Sequence, residues 1–172
     1  MCFYITIMIR SRHTPHGEAA TELILETFRF NGRLLTAGDR LVAKLGLTSA
    51  RWQVLGAIAY SPAPEPVARL ARNMGLHRQG VQRIVNELEK EGLIEFRPNP
   101  HHRRANLVVL TACGREIYKQ ADRLQTPWVN ALSEGIAADD IALATRIIQS
   151  LRKRLEEQRK PEPENDDDQR AA

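Results

Sequence analysis

Apolar residues recur at three- and four-residue steps along most of the chain, and the predicted elements follow from where that rhythm starts, stops or changes period. From about Glu18 to Lys44 the spacing predicts a helix. Ile24, Phe28, Leu35 and Leu41 share a broad face, with Leu23, Leu34 and Val42 beside it. Gly32 and Gly38 weaken the signal, and Gly38 is where one long helix would break. The run "LTSARWQVLGAIAY" predicts a second helix with Thr48 as N-cap and Trp52, Leu55, Ile58 and Ala59 at helical spacing. "SPAPEP" ends it, because proline cannot continue a helix and restricts the residue before it.

The next segment divides into four pieces. Pro66 to about Asn73 reads as a short helix with Val67, Leu70 and Ala71 inward. "MGL" is a tight turn in which Gly75 adopts positive φ at little cost. His77 to Lys90 reads as a helix with Val81, Ile84, Val85 and Leu88 as its apolar stripe, closed by Gly92. "LIEFRP" and "ANLVVLT" then switch to short β runs around a tip of two histidines and two arginines. Helix, turn, helix and hairpin in this order make a winged helix-turn-helix.

Thr111 is positioned to cap an amphipathic helix through "GREIYKQADRLQTPWVNAL", which Pro127 should kink or split. Asp139 or Asp140 would cap a last helix striped by Ile141, Ile147, Ile148, Leu151 and Leu155. The fold class is mainly α (α+β), a winged-helix domain flanked by terminal helices. The expected boundaries are an N-terminal arm over 1–17, a dimerisation helix region over 18–46 and the winged helix over 47–112. C-terminal dimerisation helices follow over 113–159, and a disordered acidic tail over 160–172. The opening "MCFYITIMIR" is apolar but lacks a basic leader and a small-residue cleavage site. It is either an accessory arm or a stretch upstream of a working start at Met8 or later.

Charge changes the picture. The 172-residue chain carries a formal +4, but residues 160–172 hold two basic and five acidic residues, which leaves +7 on residues 1–159. A basic body of this kind suits a polyanionic partner. Between Pro66 and Arg104 there are eight basic and four acidic residues, and Glu87, Glu89 and Glu91 crowd the far end of the fourth helix, His77 to Lys90. The polar face of that helix, with His77, Arg78, Gln79, Gln82 and Arg83 near its start, suits insertion in a major groove. There arginine pairs with guanine and glutamine with adenine, each worth roughly 1–3 kcal/mol of discrimination. His101, His102, Arg103 and Arg104 on the hairpin tip would meet phosphates or a narrow minor groove.

The stretches "LTSARWQVLGAI", "VARLARNMGLHRQGVQRIVNELEKEGLIEFRPNP" and "RRANLVVLTACGRE" resemble the MarR family of bacterial transcriptional regulators, over roughly 18–157. The resemblance implies an obligate homodimer whose first and last helices interdigitate, with one winged helix per subunit on a pseudo-palindromic site in double-stranded DNA. It also implies repression relieved by a small, often aromatic or acidic, effector bound between the dimerisation and DNA-binding lobes. Ile24, Phe28, Ile141, Ile148, Leu151 and Leu155 are then the expected dimer contacts, and Phe28 and Trp52 the expected pocket lining. Two-fold symmetry would match an inverted repeat. One departure is that His102 stands where the family wing carries an aspartate that holds the wing arginine, here Arg104. The tip would be looser or aimed differently. Another is His77, where a small hydroxyl residue often caps the recognition helix.

Other chemistry finds little support. The five histidines and two cysteines lack structural metal-site spacing, so neither metal nor cofactor is expected. No phosphate loop, nucleophile elbow or carboxylate cluster suggests an enzyme. Cys113 reads as a small packing residue, and Cys2 lies too far upstream for a redox sensor. No apolar run reaches bilayer length, and the unpaired cysteines suit a reducing cytosol, so the expected location is cytoplasmic, at the nucleoid. Competing readings are a winged helix that binds another protein and a nonspecific architectural DNA-binding protein.

Overall fold

A computed structural model describes residues 13–102 and 104–158. The expected tail and most of the expected arm therefore lie outside the described residues. The elements run α1 (Pro15–Val42), a 3-10 turn (Ala43–Leu45), α2 (Ser49–Tyr60), β1 (Glu65–Pro66) and α3 (Val67–Asn73). Then follow α4 (Arg78–Lys90), β2 (Ile94–Arg97), β3 (Leu107–Leu110), α5 (Ala112–Leu132) and α6 (Ala138–Gln158). The chain divides into two compact units, Met1–Trp128 and Val129–Ala172, and α5 spans the division one residue after Pro127.

The first unit holds the core. Val54, Leu55 and Ile58 of α2, Leu70 of α3, and Val81, Val85 and Leu88 of α4 are buried together with Ile94 and Val108 of the sheet. Full burial of one such side chain is worth about 1.5–3 kcal/mol. That exceeds the roughly 1 kcal/mol that α4 gives up at Gly80 and the similar amount at its N-cap. His77 occupies that N-cap with φ −70° and ψ 134°, and its side chain caps nothing. Tertiary packing, rather than propensity, holds this helix.

Several expectations are corrected. α1 starts at Pro15, three residues before the expected onset, because the Thr14 hydroxyl accepts the Gly17 amide at 3.1 Å. It does not break at Gly38. A Cβ there would lie 2.7 Å from Ser49 Oγ, so the glycine admits the start of α2 rather than ending α1. Asp39 beside it accepts the Ser49 amide at 2.6 Å, and Thr48 accepts that of Arg51 at 3.3 Å. Both acceptors satisfy first-turn donors of α2. On α2 itself Val54 is buried and Ala59 exposed, since the helix meets the core over a different arc from the one its aromatic residue suggests.

The sheet has three antiparallel strands in the order β1-β3-β2. Ile94 pairs with Leu110 and Arg97 with Leu107 across the hairpin, and Glu65 pairs with Val108 at the edge. β1 falls inside the segment that sequence pattern treats as a breaker, and Pro66 is tolerated there because an edge strand can lack a donor. Thr111 caps α5 as expected, accepting the Gly114 amide at 3.0 Å. α5 passes through Pro127 without splitting. In the second unit, Asp139 and Asp140 sit inside the first turn of α6, where they favour the helix dipole, and the Ala137 carbonyl receives the Asp140 and Ile141 amides.

Candidate nucleic-acid interface

Val81, Val85 and Leu88 of α4 are buried and Ile84 is half-buried, which leaves the opposite side to solvent. Arg78, Gln79 and Arg83 are exposed and Gln82 half-buried. Gln79, Arg83, Asn86 and Lys90 follow one another at four- and three-residue steps along the outer side. Gln82 Nε2 donates to Asn86 Oδ1 at 2.8 Å, so its amide plane is fixed while its oxygen and second N–H stay available. Asn86 was absent from the expected site, although its place one turn beyond Gln82 and Arg83 gives it the same aspect. Leu76, half exposed in the turn ahead of α4, was also missed. It is an apolar side chain at the approach to the helix start.

The turn is built to present that start. Gly75 takes φ +67°, its amide donates to Arg72 O at 3.1 Å, and the Leu76 amide donates to Ala71 O at 2.9 Å. At the other end Gly92 takes φ +69° and the Leu93 amide donates to Leu88 O at 2.9 Å. Arg51 of α2 ties this end down. Its guanidinium donates to Gly46 O at 3.1 Å and pairs with the Glu91 carboxylate. Glu91, expected only to keep clear of the cationic end of α4, thus also anchors the opposite end.

At the wing tip the His101 amide donates to Asn99 Oδ1 at 3.0 Å and the His102 amide to Asn99 O at 3.2 Å. The Ala105 amide then donates to His102 O at 3.1 Å. Asn99 therefore shapes the tip from its own side chain, a local device that the missing aspartate does not remove. His101, His102 and Arg104 are exposed, and Arg103 lies outside the described residues. On the strand below, Arg97 Nη2 donates to Glu95 Oε1 at 2.6 Å, so its charge is shared within the wing.

The other candidates separate. Trp52 is half-buried against the core, and its Cζ3 would lie 3.8 Å from a Cβ at Gly38. Phe28 is 69% exposed, so it takes no part in the core of its own chain. It lies ten residues back along α1, about 15 Å at the helical rise, so one chain does not bring the two aromatics together. A different aromatic pair was missed: Tyr60 and Tyr118 meet edge to face at 6.1 Å. Burial, then the Tyr60 hydroxyl and the Asp122 charge, push the Tyr118 phenol well above its usual range, so it remains a donor. Cys113 is exposed, not packed. Ile24 on α1 and Ile141, Ile148 and Leu155 on α6 are exposed, with Leu151 half-buried. Among the described residues no group of three or more ligating side chains could hold a metal ion, and no helix is long and apolar enough to cross a membrane.

A helix-turn-helix followed by an antiparallel hairpin places the molecule in the winged-helix class. The MarR family profile matches residues 45–105, which run from the end of the 3-10 turn to the wing tip. An uncharacterised protein of Mycobacterium tuberculosis is 37% identical over 140 residues, covering 81% of this chain and 94% of that one. The chain belongs to the MarR family of transcription regulators. Among solved structures, CouR of Rhodococcus jostii RHA1, bound to p-coumaroyl-CoA, is 25% identical with a TM-score of 0.65, over 72% of this chain and 86% of that one. A cysteine-to-serine mutant of E. coli MarR, complexed with operator DNA, is 25% identical with a TM-score of 0.62, over 74% and 94%.

Proposed function

We infer that this protein is a homodimeric, sequence-specific DNA-binding repressor of an inverted-repeat operator, released by a small aromatic or acidic effector. The observation that carries the reading is α4: a helix packed on one side that leaves Arg78, Gln79 and Arg83 exposed and Gln82 half-buried, followed by a wing bearing His101, His102 and Arg104. Arg103 joins that set from its place in the sequence. The fit to duplex DNA is electrostatic as well as steric, because most of the acidic charge of α4 gathers at its far end. The operator-bound MarR relative supports duplex DNA as the partner, and the CouR relative supports a small-molecule effector. Phe28 and Trp52 are the aromatic side chains we assign to that effector, to be brought together only between two subunits. Ile24, Phe28, Ile141, Ile148, Leu151 and Leu155 are assigned to the dimer contact, since an exposed apolar face on a terminal helix calls for cover.

Selection from a random DNA pool with the purified full chain tests the reading. The expected product is an inverted repeat with half-sites about one helical turn apart, roughly 10–10.5 bp. Enrichment of no sequence, or salt-sensitive binding without base preference, would leave only a nonspecific or protein-binding winged helix.

A further inference from the structure

Most glycines inside the helices of this chain answer to an atom of the chain itself. A Cβ at Gly38 would strike Ser49, one at Gly56 would touch Tyr118 at 3.5 Å, and one at Gly114 would fall 1.8 Å from Leu93 O. Gly80 is different. A Cβ there would meet nothing within 4 Å, and its φ is not positive, so neither packing nor backbone conformation requires glycine. It nevertheless stands inside α4, three residues after the N-cap, where its backbone freedom costs the helix stability relative to alanine. Gly32 shares the open surroundings, but it lies on α1 near Phe28 and Leu35, on the surface already assigned to a second copy.

At 100° per residue, Gly80 falls on the flank of α4, between the half-buried Ile84 and the exposed Arg83. A helix with side chains is roughly 10–12 Å across, and the major groove is about 12 Å wide. Clearance at the flanks is therefore close to nil. We propose that Gly80 is a positioning residue, where the sugar–phosphate wall of the major groove packs directly on the α4 backbone and lets Arg78 and Gln79 reach the bases. The inference rests on the DNA-binding reading above and deepens it.

The test substitutes Gly80→Ala in the full chain and measures both thermal unfolding and affinity for the wild type's own selected site. The expected result has opposite signs. The melting temperature rises by about 2–4 °C from helix propensity, while affinity falls at least tenfold. The slope of log affinity against log salt also becomes shallower, by about 0.9 for each phosphate that the protein no longer neutralises. Gly80→Leu should deepen the affinity loss without unfolding the protein. Unchanged or tighter binding by Gly80→Ala overturns the proposal, and so does a lower melting temperature, because the chain itself would then need the glycine. A wild type that selects no DNA site at all sinks the functional reading instead, which keeps the two failures distinct.

Discussion

Arg78 and Arg104 are both exposed, yet they occupy different surroundings. Arg78 opens a helix whose inward side is packed into the core, which fixes the backbone from which its side chain extends. Arg104 sits on a tip held by Asn99 and its neighbours. A bidentate contact to guanine discriminates by roughly 1–3 kcal/mol, whereas a phosphate contact is blind to sequence. Arg78→Ala should therefore flatten base preference at one position per half-site. Arg104→Ala should weaken binding evenly and reduce the salt slope by about 0.9. Quantitative binding to a mutated operator series distinguishes them, and identical profiles for the two variants would refute the division of roles.

Among the elements, the junction of β3 and α5 is the tightest. Thr111 Oγ1 donates to Gly92 O at 2.7 Å, the Thr111 amide donates to Leu93 O at 3.1 Å, and Gly114 lies against that same carbonyl. Gly114→Ala is expected to destabilise the fold by about 1–3 kcal/mol, through a clash with backbone that cannot swing aside. Urea unfolding would measure it, and an unchanged midpoint would contradict the packing described. This junction also explains what sequence could and could not reveal. α4 was legible because Val81, Val85 and Leu88 repeat at helical spacing and the helix is buried on one side only. Gly38 and Gly114 were not legible as contact points, since their neighbours Ser49 and Leu93 are distant along the chain. β1 pairs through two residues with a strand some forty positions away, and no local period announces it. Of the site, the cationic positions were readable from type and spacing. Asn86 and the Asn99 turn depend on which neighbour each amide finds, and Arg51–Glu91 on a pairing between residues forty positions apart.

For the whole molecule, the dominant unmet demand is apolar surface. Phe28 on α1 and Leu155 on α6 are 69% and 67% exposed in one chain. If a second copy covers them, stability depends on protein concentration. Phe28→Glu should shift the sedimenting mass from twice 19.5 kDa toward 19.5 kDa and abolish preference for paired over single half-sites. Leu155→Glu is expected to act in the same direction. An unaltered dimer in both variants would remove these residues from the interface.

The knot at Thr111 lies beside the last residues of α4, whereas Arg78 and Gln79 lie at its first. Thirteen residues make an arm of about 20 Å. A tilt of about 10° about the knot would carry the leading tip sideways by roughly 3.5 Å, more than a hydrogen bond tolerates. The exit helix thus holds α4 at the end away from Arg78, so, on the DNA-binding reading proposed above, a tilt that unfolds nothing would carry that residue out of hydrogen-bonding range of a base.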